Sequence, residues 1–332
     1  MKNNIIYNMN NKIYKKKFLI IIIIIAISNK EFNNNNRLSY RQKNEMTDFK
    51  TKTFYIIRRL GCPSCGFFSF YFVYLGCVKK LLSEGIIPII DLKTFTNAYN
   101  NGNTSINNPY ELFFYQPYNY TLEEVEKYAK NVHYFQCETR YDRPNERYIY
   151  YNKDLITFWH NFAKIYCGIK NEIMIEAKIH ANKLFRNSKN ILGVKLRGTD
   201  YNSLKPKSHS IQPKPEQVIL DVKYMDKKYK YDFIFFSTED ESIKQKFTSY
   251  FGYKLKLLNP NVAIKYSNKD KYEINSHKNI YGNLSYSKNY LLNIIILSTC
   301  LDIITSKCNG AAAIFIFSNG FRHIKIYDLG IY

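Results

Sequence analysis

Apolar and polar positions along the chain fall into two runs in which strand-like and helix-like segments alternate. In the first, Thr53–Arg59 (TFYIIRR) reads as a strand. A turn containing Gly and Pro follows, then an apolar stretch from Phe68 to about Ser83 that suits a buried helix stopped by Gly85. Ile86–Asp91 (IIPIID) predicts the next strand, with Pro88 either weakening it or placing it at a sheet edge. Together these form a β-α-β unit. Residues 94–120 are polar with aromatic punctuation and predict a loop, after which Thr121 with Glu124 three residues on predicts a capping box opening a short helix. Asp154–Phe185 reads as a long helical region broken around Gly168.

The second run predicts strands over Asn190–Leu196, Tyr231–Thr238, Tyr253–Leu258, Leu301–Ser306 and Ile324–Asp328, with helices over Asp240–Tyr250, Tyr290–Cys300 and Gly310–Ser318. Strands alternating with helices in this way indicate a doubly wound parallel sheet. The expected fold class is therefore α/β, arranged as two Rossmann-like domains, 46–186 and 187–332, that face a cleft.

Residues 1–45 are set apart from that scheme. Lys15, Lys16 and Lys17 precede an apolar run from Phe18 to Ile27 and an Asn tract. The run is far shorter than the roughly 20 residues a bilayer span requires. It fits a signal-peptide core, with Ala26-Ile27-Ser28 as a passable cleavage site. The competing reading, which we favour, is upstream low-complexity sequence, with Met46 opening the folded protein.

Composition changes this picture in two places. The net charge of +22 would ordinarily suggest nucleic acid or an anionic membrane. However, only ten of the 49 basic residues are Arg, and Lys travels with abundant Asn, Ile, Tyr and Phe, residues that share A/T-rich codons. No nucleic-acid partner is expected, and membrane contact is expected only if residues 15–28 are a genuine signal or anchor, through the basic N-terminal segment. An Arg retained against the bias is correspondingly informative. The seven cysteines are an odd, scattered number, which predicts reduced thiols and a cytoplasmic location. Cys62-Pro63-Ser64-Cys65 lacks partners for a zinc site and reads as a structural turn, with a redox dithiol as the alternative.

Candidate chemistry gathers at strand ends in the second run, where ligands of doubly wound sheets bind. Lys195 and Arg197 follow the first strand, Thr238 and Asp240 the second, and Ser306, Asn309 and Gly310 the fourth, leading into Ala311-Ala312-Ala313. Small residues at a helix start admit a phosphate to free backbone N–H groups, and Arg197 offers a bidentate partner. The set suits a nucleoside diphosphate. Neither G-x-x-x-x-G-K-[ST] nor G-x-G-x-x-G occurs, nor does the D-x-D expected of a transferase that holds its diphosphate through a metal.

These residues resemble a family. ILGVKLRGTDY (Ile191–Tyr201) is similar to the arginine motif of the fucosyltransferase superfamily, which includes O-fucosyltransferases and α-1,2- and α-1,6-fucosyltransferases. FIFFSTEDE (Phe233–Glu241) and ILSTCLDIITSKCNGAA (Ile296–Ala312) resemble its two later elements in order, and GCPSCGFFSFYFVYLGCVKKLLSEGIIPIIDL looks like its opening loop, helix and second strand. Lys195 stands where the family has His. The resemblance implies a GT-B-like, metal-independent, inverting transferase with GDP-fucose as donor, a glycan or other hydroxyl as acceptor, and no cofactor. It implies that Arg197 neutralises the leaving diphosphate with help from Lys195, that Ser306, Asn309 and Gly310 contact phosphates, and that Thr238 and Asp240 meet the nucleoside. For the base that deprotonates the acceptor, Glu111 is the first candidate and Asp200 the second. The alternatives are a catalytically weak sugar-nucleotide or glycan-binding protein of the same fold, and a redox or nucleic-acid protein.

Overall fold

In a computed structural model the chain is described over residues 49–332, except 63–64, 101–102, 104, 199–200, 202–204 and 259–282. Residues 52–332 pack as one unit. Its first sheet is built on β1 (Thr53–Arg58), flanked in parallel by β2 (Ile87–Ile90) and β3 (Asn131–Gln136) in the order β2-β1-β3. Pro88 sits on edge strand β2, where a missing N–H costs least. α1 (Phe67–Leu82) crosses from β1 to β2, apolar nearly all round because it is covered on nearly all sides. Gly85 turns the chain at φ +73°, the left-handed region that glycine enters without strain.

The expected capping box forms: the Thr121 hydroxyl accepts from the Glu124 amide and the Glu124 carboxylate returns to the Thr121 amide, opening α2 (Leu122–Tyr128). The predicted break in the long helical region also forms, giving α3 (Lys153–Tyr166) and α4 (Asn171–Phe185) on either side of Gly168.

The second sheet is five-stranded and parallel: β4 (Ile191–Lys195), β5 (Phe233–Ser237), β6 (Leu255–Lys256), β7 (Asp302–Ser306) and β8 (Ile324–Tyr327), in the order β6-β5-β4-β7-β8. The chain winds outward one way through β5 and β6 and then the other way through β7 and β8, so the switch point lies between β4 and β7. α5 (Pro215–Tyr229), α6 (Glu241–Phe251), α7 (Asn283–Ser298) and α8 (Asn309–Phe317) complete the layers. β3 and α5 form where the pattern of apolar positions predicted no element.

One apolar core runs through both sheets. Phe68, Tyr71, Phe72 and Leu75 of α1 belong to the same buried cluster as Trp159 and Phe162 of α3, Leu291 and Ile295 of α7, and Ile314 and Phe315 of α8. Rings interlock across it, Tyr71 against Phe317 and Phe68 against Tyr290. A second cluster, with Val194, Phe236, Phe247 and Val222, fills the other face of the larger sheet.

Four of the seven cysteines are paired. Cys62–Cys65 and Cys77–Cys137 are disulfides, with Cα atoms 5.4 and 6.0 Å apart, and only Cys167, Cys300 and Cys308 are free and buried. An odd total says nothing about which pairs the fold brings within bonding range, so the expectation of reduced thiols does not hold for these four. Among the described residues no helix is long and apolar enough to cross a membrane.

Candidate active site

Register places the carboxyl ends of the central strands level with one another, Lys195 pairing with Ser237 on one side and Thr305 on the other. Everything that follows these residues in sequence therefore emerges along one edge, at the switch point. Lys195 closes β4 as a buried lysine, 2% exposed. Its Nζ lies 3.6 Å from Glu239 Oε2 and faces the Tyr290 ring at 5.1 Å, with no hydrogen-bond partner among the described residues. Arg197 is two residues on. Its Nε is 3.7 Å from Glu239 Oε1 and its guanidinium lies over the Tyr201 ring at 4.4 Å. Glu239, itself nearly buried, thus stands between two cations. Sequence reasoning passed over it for its neighbours Thr238 and Asp240.

Glycines let the backbones close in. A Cβ on Gly198 would lie 2.7 Å from both Cβ and Oδ2 of Asp240, and one on Gly310 would lie 2.0 Å from the Tyr290 hydroxyl. Asp240 caps α6, its Oδ1 accepting from the Ser242 and Ile243 amides. Thr238 and Glu239 line a small cavity with Tyr286, Asn289, Tyr290 and Asn293 of α7.

After β7, the Ser306 hydroxyl donates to Gln212 Oε1, while Lys307 Nζ reaches Asp328 Oδ2 at 2.6 Å. Cys308 caps α8, its Sγ accepting from the Ala311 amide, and Asn309 and Gly310 form the first residues of that helix. Burial pushes the Cys308 thiol up against the opposing pull of Lys195 and Arg197, both of which are near enough to be felt. The edge therefore combines a helix N-terminus with two cations around one carboxylate, a setting that attracts a polyanion. Among the described residues, no group of three His, Cys, Asp or Glu side chains could hold a metal ion.

The two candidate bases fare differently. Glu111 lies on the first sheet's side, where its Oε1 accepts from Asn108 Nδ2, Gln116 Nε2 and the Leu122 amide and ties that loop together. Asp200 lies outside the described residues. The fold also brings in Glu146, which no sequence signal had marked. Burial raises its carboxyl, while His209, Arg197, Arg143 and Arg147 pull it back, and its Oε2 is buried with no hydrogen-bond partner among the described residues.

No protein-family model matches the chain, and no curated protein does. Solved structures to which it is similar include fucosyltransferases. Fucosyltransferase NodZ from Bradyrhizobium is 12% identical over 84% of this chain and 96% of that one, at a TM-score of 0.46. NodZ alpha-1,6-fucosyltransferase soaked with GDP-fucose is 13% identical over 81% and 93%, at 0.43. POFUT1 in complex with GDP is 8% identical over 83% and 98%, at 0.45.

Proposed function

We propose that the chain is a glycosyltransferase that moves fucose from GDP-fucose to a hydroxyl acceptor, with inversion at the anomeric carbon and with protein groups neutralising the diphosphate. In this reading residues 187–332 form a donor lobe and 46–186 an acceptor-side lobe, the GT-B arrangement. The observation that carries it is Arg197 at the switch point of a parallel sheet, its side chain 18% exposed, flanked by buried Lys195 and by the start of α8. Charge on the leaving phosphate grows as the sugar–oxygen bond breaks, so a fixed cation there contributes most in the transition state. Asn309 and Gly310 meet phosphates through the helix start, with Ser306 beneath them. Thr238 and Asp240 border the nucleoside. The motif resemblance supplies the identity of the donor.

GDP is expected to raise the melting temperature in the presence of EDTA. Arg197→Ala is expected to weaken GDP binding by about 10- to 100-fold, the equivalent of a charge-assisted contact of about 1.5–3 kcal/mol. It should slow turnover by roughly 10²–10³. Arg197→Lys should recover only part, since an ammonium lacks the two-pronged fork. Stabilisation that needs Mg²⁺ or Mn²⁺, or unchanged turnover in Arg197→Ala, would overturn the proposal. A second reading, a sugar-nucleotide-binding protein of weak activity, is favoured by Lys195 in place of the family's His. It predicts GDP binding without release of fucose.

A further inference from the structure

The segment from 143 to 151 is fastened to the carboxyl edge of the second sheet. Lys307 Nζ donates to the Arg147 carbonyl at 3.0 Å, and Arg147 Nη2 donates to the Ser208 carbonyl at 3.0 Å. The Tyr150 hydroxyl donates to the Cys308 carbonyl at 2.9 Å and accepts from the Cys308 amide at 3.2 Å, and the Tyr151 hydroxyl reaches Asp328 Oδ2 at 3.0 Å. Glu146 is thereby held within electrostatic reach of Arg197.

A carboxylate that merely balances guanidinium charge takes forked hydrogen bonds from it. Glu146 sits among Arg197, Arg143 and Arg147, yet its buried Oε2 takes no hydrogen bond from any of them. An acceptor oxygen left in that state has the capacity to take a hydrogen bond from an incoming hydroxyl. We propose that Glu146 is the base for the transfer reaction, which rests on the transferase reading above. The acceptor's O–H proton passes to the Glu146 carboxylate, and the acceptor oxygen bonds to the anomeric carbon. The bond from that carbon to the β-phosphate oxygen breaks, its electron pair leaving on GDP beside Arg197. Arrival of the donor's negative charge near Glu146 makes its carboxylate more basic, which brings it closer to the operating pH of a general base.

The test uses GDP-fucose with water as acceptor and reads GDP release. Glu146→Gln is expected to lose about 10²–10³ in rate, while GDP binds at least as tightly as to the parent. Sodium azide, an anion with no proton to lose, should restore GDP release in that variant by forming fucosyl azide. The rising limb of the rate against pH should vanish in Glu146→Gln. It should persist in His209→Asn, which separates Glu146 from His209, while burial pushes Tyr150 and Cys308, the other titratable groups facing it, upward and away from that limb. Should Glu146→Gln unfold, Glu146→Asp carries the test, with a retracted carboxylate whose rate azide also raises. A Glu146→Gln rate within threefold of the parent, or azide without effect, overturns the assignment. A parent that neither binds GDP nor cleaves GDP-fucose overturns the transferase reading instead.

Discussion

Glu239 carries an electrostatic load out of proportion to its size. Lys195 and Arg197 lie 3.6 and 3.7 Å from its two oxygens, and Lys195 and Glu239 are almost fully withdrawn from water. Removing the carboxylate leaves two cations facing each other, one of them buried, and breaking such a pair costs about 3–5 kcal/mol. Glu239→Gln is therefore expected to melt well below the parent. GDP should raise its melting temperature by more than it raises the parent's, because the diphosphate takes over the missing counter-charge. Equal shifts in the two proteins would separate Glu239 from the proposed donor site. Lys195 and Arg197 were legible in the sequence because period-2 alternation puts both on one face at a strand's end. Glu239 and Glu146 were not, since each owes its place to side chains far away in the chain.

At the level of elements, the amino end of β7 is locked by a single carboxylate. Asp302, fully buried, accepts from Arg322 Nε and Nη2 at 3.2 and 2.6 Å, from the His323 amide at 2.8 Å and from the Tyr231 hydroxyl. Burial alone would raise its pKa. The donors, with Arg322 first, outweigh burial and hold the carboxyl below its usual range. A depressed carboxyl stabilises the fold fully above the unfolded value near 4, and that contribution is lost as pH falls through the folded value. Asp302→Asn should cost roughly 1.5–3 kcal/mol at pH 7. Between about pH 5 and 2, its melting temperature should fall less steeply than the parent's, as followed by circular dichroism. Elements with strong patterning, such as β1, α1 and the Thr121 capping box, could be read directly from the sequence. β3 could not, because its residues are mostly exposed or half-buried and present no alternating apolar face. The lysines of α5, part of the compositional bias, obscured its apolar stripe of Val218, Ile219, Val222 and Met225.

For the whole molecule, the Cys77–Cys137 bridge ties α1 to the residue after β3 across 60 positions of sequence. Closing a loop of that length restricts the unfolded chain by about 4 kcal/mol in the chain-entropy account. Cys137→Ser, or reduction of the native protein, should lower the melting temperature by on the order of 10 °C. An unchanged midpoint would show that the bridge contributes nothing to stability. The three free thiols are buried, and burial pushes Cys167 up to about 12, so alkylation at pH 8 should reach them only after unfolding.

The shared apolar core has a consequence for motion. Two lobes that swing about a linker need a thin, polar seam between them, whereas α1 is packed into the same buried cluster as α7 and α8. Opening these sheets like jaws would pull Phe68 from Tyr290 and Tyr71 from Phe317, exposing large aromatic surfaces to water. The core can accommodate small shear, but not hinge rotation. The scaffold beneath the proposed donor site is therefore held shut by the same rings that fill its core.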